Sequence, residues 1–288
     1  MTVIHDIGVF LQLDEQGFFR SAAADTPVQE AWRPALELLT RECRREAGER
    51  FSGFYVRGSV ASATAVKGSS DLDTVVLLDD DEGERRPRWQ VPLGRRLLAE
   101  HPFITELEVV VLGRGALRRA VEDPSAAGPV MAQWCFLLAL WGRCLAGVDI
   151  LPELGRFRPG PGTAYVMCYL PADLRTFEER LAQLRAAEPS PEVEGQLRRL
   201  CVWTCKKLLR SGAELAMVRD GRFTRDLAPS ARRFSERLPG HAADARQLLE
   251  WAIAPPFDLS GLERVVRRLE PVLVREALAD GLTLEGSH

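Results

Sequence analysis

Strand-forming sequence is confined to the first 112 residues of this 288-residue chain, and the remainder reads as helix. Three short runs, 51–56, 71–78 and 106–112, are rich in β-branched and aromatic residues and bounded by polar or glycine-containing segments. A helical pattern near 92–100 separates the second strand from the third. After Leu112, apolar residues recur at helical spacing over 114–122, 127–145, 171–187, 191–212, 227–237, 241–252 and 259–280. A Pro-Gly-rich segment, 158–162, interrupts that series. The pattern predicts an α+β chain: a mixed β-sheet with flanking helices over 1–155, then an all-helical domain over 160–288.

Three local features refine this expectation. Two apolar runs around Asp14-Glu15-Gln16-Gly17 predict an N-terminal β-hairpin over 7–21. Thr26-Pro27 carries cap and first-turn chemistry, predicting a helix from there to about Arg50. The acidic run 79–84 reads as a solvated turn at a strand end.

Composition excludes several classes. With 38 basic and 41 acidic residues the net charge is −3, which argues against bulk nucleic-acid binding and against a polybasic membrane anchor. No stretch approaches the roughly 20 apolar residues of a membrane span. No signal-peptide pattern opens the chain, so the expected location is the cytoplasm. Six cysteines form no C-x-x-C pair and only four histidines are present, which argues against a zinc site. No Ser-His-Asp or Cys-His arrangement can be assembled, and no Walker-type phosphate loop is present.

The chemistry-bearing segment is 54–78. One strand ends at Gly58-Ser59, a short connection leads on, and the next strand opens with Asp71-Leu72-Asp73. Side chains alternate along a strand, so Asp71 and Asp73 share a face, roughly 7 Å apart. Two carboxylates so placed repel unless a cation lies between them, and oxygen-only ligands of this kind suit Mg²⁺ completed by phosphates and water. Gly58 permits close backbone approach, and Ser59 offers hydroxyl and amide donors to a phosphate. The third strand carries Glu106 and Glu108, also two apart, and one of them is expected to complete a three-carboxylate cluster.

Gly58-Ser59, eleven intervening residues and Asp71-Leu72-Asp73 resemble the signature of the nucleotidyltransferase superfamily that includes DNA polymerase beta. Further segments resemble the bacterial aminoglycoside adenylyltransferases of the streptomycin/spectinomycin type. These are Leu107 to Val111 with Glu108 as third carboxylate, Leu145 to Ile150 closing the catalytic domain, and Arg199 to Asp226 in the helical half. Val60 to Lys67 departs from the pattern in lacking an early glycine, and the N-terminal hairpin is an addition.

The resemblance implies a nucleotidyltransferase domain in which a nucleoside triphosphate, ATP by family, gives its nucleoside monophosphate to a hydroxyl and releases pyrophosphate. Asp71 and Asp73 would hold Mg²⁺, two ions by analogy, with Glu108 as further ligand, general base, or both. The acceptor would be a small hydroxylated molecule such as a polycationic aminoglycoside. Two alternatives stand beside it: a protein or tRNA acceptor, as in a toxin–antitoxin pair, and a nucleotide-binding sensor without turnover.

Lysine is scarce: three, at Lys67, Lys206 and Lys207, against 35 arginines. Lysine is a compact charge suited to phosphate. Lys206 and Lys207 share a helix within the resembling segment and, with Arg225 and Lys67, are the expected phosphate contacts. The charge divides unevenly, −5 over 1–150 and +2 over 151–288. That split suits a carboxylate-bearing metal domain and a helical domain supplying cations.

Overall fold

The computed structural model describes residues 8–23, 27–68, 70–256 and 258–285. They form two compact units: Leu13–Phe157, and the chain from Arg158 onwards together with the residues before Leu13.

The first unit is built on a four-stranded mixed sheet. Its elements in chain order are α1 (Arg33–Ala47), β1 (Phe51–Arg57), α2 (Gly58–Ala61), β2 (Leu72–Leu78), α3 (Gln90–Glu100) and β3 (Leu107–Gly113). Then come α4 (Arg114–Glu122), α5 (Pro124–Ala127), α6 (Pro129–Trp141) and β4 (Gly142–Gly147). Pro34 in the first turn and Arg44 and Arg45 in the last fit the termini of α1. This proline, not Pro27, starts the helix; Thr26 lies outside the described residues.

The strand order is β3-β2-β1-β4. β1 pairs antiparallel with β2 and β4, while β2 and β3 run parallel. Parallel neighbours need a crossover, which α3 provides. Alternate strand residues serve opposite faces. Phe54, Val56, Val76, Val109 and Val111 share one core with Trp32, Leu36 and Leu39 of the α1 region and Leu97 of α3. On the opposite face Tyr55, Val75, Leu77, Val110 and Leu112 are also buried, and α4 and α6 contact the sheet. Each fully buried large apolar side chain contributes about 1.5–3 kcal/mol. A sheet covered on both sides therefore keeps a charged side chain only where something pairs it.

The second unit is helical: α7 (Tyr165–Ala186), α8 (Pro191–Asp220), α9 (Leu227–Arg237), α10 (Ala242–Ile253) and α11 (Ser260–Ala279). α8 shows how sequence sets a helix. The Ser190 hydroxyl accepts from Val193 N at 3.2 Å, Pro191 opens the first turn with Glu192 and Glu194, and Gly221 at φ +75° closes the last. α7, α9, α10 and α11 pack around α8. Among the described residues no helix is long and apolar enough to cross a membrane.

Two expectations are corrected. Residues 142–145, read as the end of a long helix, belong to β4 (Gly142–Gly147), because β1 offers an open edge and Gly142 leaves α6 in an extended conformation (ψ 148°). The hairpin over 7–21 reduces to one antiparallel bridge, Leu13 with Phe19, around a turn in which Asp14 accepts from Gln16 N and Phe18 N. Its first arm leaves: Leu11 N donates to Phe223 O, Val9 N to Asp226 Oδ2, and the Thr224 hydroxyl to Val9 O, all within 2.8–2.9 Å. Ile7 lies outside the described residues.

Candidate active site

The signature residues converge at one end of the sheet. Arg57 is the last residue of β1, and the chain then turns through α2, with Gly58 at φ +70°. A side chain on Gly58 would place its Cβ 3.0 Å from Asp73 Oδ2, so the bare α-carbon keeps backbone and carboxylate close. Ser59, half-buried, anchors the turn through its carbonyl, which accepts from Thr64 N at 2.9 Å. Ser62 donates N–H and hydroxyl bonds to Gly58 O, each at 3.1 Å.

Strand register sets the charged line. Arg57 pairs with Asp73 across β1 and β2, and Asp73 pairs with Glu108 across β2 and β3. The Arg57 guanidinium lies 3.4 Å from Asp73 Oδ2 and hydrogen-bonds Glu108 Oε2. Arg86 donates to the other oxygen, Glu108 Oε1, at 2.7 Å, and pairs with Glu84 at 3.0 Å. Glu84 in turn accepts from the Trp134 indole at 2.7 Å, and the Arg57 guanidinium lies 5.3 Å from the Trp134 ring centroid. Burial raises the Glu108 pKa, but Arg57 and Arg86 outweigh it and hold the carboxyl below the ordinary glutamate value. Glu108 is therefore a carboxylate at neutral pH.

Asp71 sits one residue before β2 and accepts from the Thr105 hydroxyl at 2.6 Å. Asp71 and Asp73 offer the oxygen-only chemistry that Mg²⁺ takes. Glu108 is turned to the two arginines instead, and among the described residues no three carboxylate, thiol or imidazole groups converge closely enough to ligate an ion. Glu106 is exposed just ahead of β3. A groove of about 530 Å³, lined by Arg33, Leu36, Arg41, Arg44 and Leu145 among others, shares none of these residues.

The remaining expected residues have the following neighbours. Lys67, exposed in the connection between α2 and β2, has its ammonium 5.4 Å from the Phe103 ring centroid. Lys206, Lys207 and Arg225 belong to the helical unit. Lys207 pairs with Asp173 at 2.6 Å and stands 5.3 Å from the Trp203 ring. Arg225 is tied through its carbonyl, which accepts from Arg210 Nε at 3.1 Å.

Sequence reasoning missed Arg57, Glu84, Arg86 and Trp134. A signal existed for Arg57: a charge ending an apolar strand, directly before Gly58. The acidic run is not simply solvated, since Asp80 pairs with Arg85 at 2.8 Å, Asp81 with Arg119 at 2.9 Å, and Glu84 takes Trp134 and Arg86.

The chain is thus an α+β protein whose mixed-sheet unit aligns two carboxylates and an arginine across three strands. No family model matches it, and no curated protein matches it in sequence. Among solved structures, a spectinomycin adenyltransferase from Enterococcus faecialis, crystallised with ATP and spectinomycin, aligns over 85% of this chain and 98% of its own. The identity is 12% and the TM-score 0.47, so the functional argument rests on the site itself.

Proposed function

We propose that the sheet unit carries a nucleotidyl-transfer site. A nucleoside triphosphate, ATP on the sequence resemblance, gives its nucleoside monophosphate to a hydroxyl of a small acceptor such as an aminoglycoside. The observation that carries this reading is the register pairing of Asp73 with Glu108 on adjacent parallel strands, beside the bare α-carbon of Gly58. A fully covered sheet retains such a pair at its end only at a cost, which a binding role for anions and cations explains.

In this reading the acceptor oxygen bonds to the α-phosphorus, the bond from that phosphorus to the bridging oxygen breaks, and pyrophosphate leaves. Asp71 and Asp73 hold the divalent cation, which when bound offsets phosphate charge and polarises the phosphoryl group. Glu108, ionised at neutral pH, orients the acceptor hydroxyl and receives its proton. Ser59 supplies its hydroxyl to phosphate. Lys67, Lys206, Lys207 and Arg225 are proposed as phosphate contacts on the resemblance alone.

The test is pyrophosphate release with Mg²⁺, each of the four nucleoside triphosphates and a panel of aminoglycosides, a protein fraction and tRNA. Release with an aminoglycoside, abolished in Asp73→Asn while the circular dichroism spectrum is unchanged, is the expected result. Release only with protein or tRNA replaces the acceptor. Nucleotide binding without release under any condition makes the protein a sensor, and full turnover in Asp73→Asn removes the metal assignment.

A further inference from the structure

Arg57 does something that the signature residues do not require. Its guanidinium reaches past Asp73, its register partner on β2, to Glu108 on β3. It therefore hydrogen-bonds Glu108 and forms an ion pair with Asp73, occupying the space between the two carboxylates. The side chain is only 16% exposed and lies along Trp134, and its Nε is buried with no hydrogen-bond partner. So the group is not a surface arginine that drifted onto a carboxylate. It is fixed by packing, and its charge is satisfied by Asp73 and Glu108. A guanidinium does not lose its proton in a protein, so this positive charge is permanent.

We propose that Arg57 is the resident second cation of the site, standing between Asp73 and Glu108, and that the chain accordingly binds one divalent ion, through Asp71 and Asp73, with Glu108 outside the metal shell. The inference rests on the nucleotidyl-transfer reading above. It comes from lone pairs and charge together. Asp73 Oδ2 faces Arg57 Nη1 at 3.4 Å, Glu108 Oε2 accepts from Nη2, and Glu108 Oε1 accepts from Arg86 at 2.7 Å, so both Glu108 oxygens are held by guanidinium donors. An ion entering between Asp73 and Glu108 would meet a fixed like charge at a partly buried position, and such repulsion grows as the local dielectric falls. Asp71, one residue before β2, accepts from a neutral hydroxyl, that of Thr105, at 2.6 Å.

Arg57 is a positioning residue here. It keeps Glu108 ionised and aimed, and supplies locally the charge that a second ion would bring.

The experiment counts ions on the full chain with Mn²⁺ alone, by electron paramagnetic resonance titration of the free ion, without nucleotide. One Mn²⁺ per wild-type chain is expected. Asp71→Asn should weaken that site at least about tenfold, whereas Glu108→Gln should leave its dissociation constant within about twofold. Arg57→Gln should gain a second Mn²⁺, with Arg57→Lys as the charge-conserving control that stays at one. Two ions on the wild type overturn the inference and leave the transfer reading intact. No ion on the wild type overturns the inference, and the transfer reading is then decided by pyrophosphate release. A Glu108→Gln loss as large as that of Asp71→Asn overturns the inference even if neither Arg57 variant folds, and an Arg57→Gln protein that folds with one ion does the same.

Discussion

Replacing Glu214 by glutamine should make the protein's stability much less dependent on pH. Glu214 lies in the interior of α8 and is 2% exposed. Its carboxyl oxygen Oε2 accepts the N–H of Met167 at 2.8 Å, in the first turn of α7, so it serves a donor that the helix itself leaves unpaired. Burial raises its pKa; the Met167 N–H, Arg225 and Lys207 pull it back only in part, and it stands at about 8 against an ordinary 4.5. The folded chain therefore keeps a proton between pH 4.5 and about 8 that the unfolded chain has lost. The stabilisation is full below 4.5 and disappears as pH rises through 8. Each pH step in that window is worth about 1.4 kcal/mol, so its ends differ by roughly 4–5 kcal/mol. Glutamine still presents an oxygen to Met167 N–H but does not titrate. Urea denaturation of both full-length proteins from pH 4.5 to 8.5 should give a difference that grows steadily in favour of the variant. A difference that stays flat, or turns against glutamine as pH rises, would refute the reasoning: the first would mean an unperturbed carboxyl, the second an ionised one stabilised by Arg225 and Lys207.

Two further outcomes rest on local geometry. Gly212→Ala should cost about 1–3 kcal/mol in equilibrium unfolding, because the added methyl would overlap the fully buried Phe234 ring where α8 meets α9; an unchanged midpoint would show that this contact is loose. Arg86→Gln removes one of the two guanidinium groups that depress the Glu108 pKa, so that pKa should rise towards the ordinary glutamate value. Carboxyl-carbon NMR of the metal-free protein checks this, and a Glu108 titration that does not move would assign the depression to Arg57 alone.

Much of the fold comes from local pattern. α8 carries its own start and stop, Ser190-Pro191 with two early glutamates and Gly221 at the end, so its span is written in nearby residues. Its predicted end at 212 falls short of the observed Asp220 because Ala213, Leu215, Ala216 and Met217 are all buried, which leaves no polar face to mark continuation. α7 likewise starts at Tyr165, not 171, since the helix accommodates Pro171 in its interior.

The sequence by itself determined β1 to β3 and the succession of a sheet-bearing half and a helical half, because period and turn chemistry are properties of neighbours along the chain. Only the tertiary structure decided β4, whose residues become a strand by pairing with β1, and the departure of residues 9–11 to pair with 223–226. It also decided the charge of the site. The sequence shows three acids awaiting metal, whereas register places Arg57 beside Asp73 and within reach of Glu108. Register is a long-range quantity: a one-residue slip would turn Arg57 to the opposite face, and no local signal records which alignment the packed sheet selects.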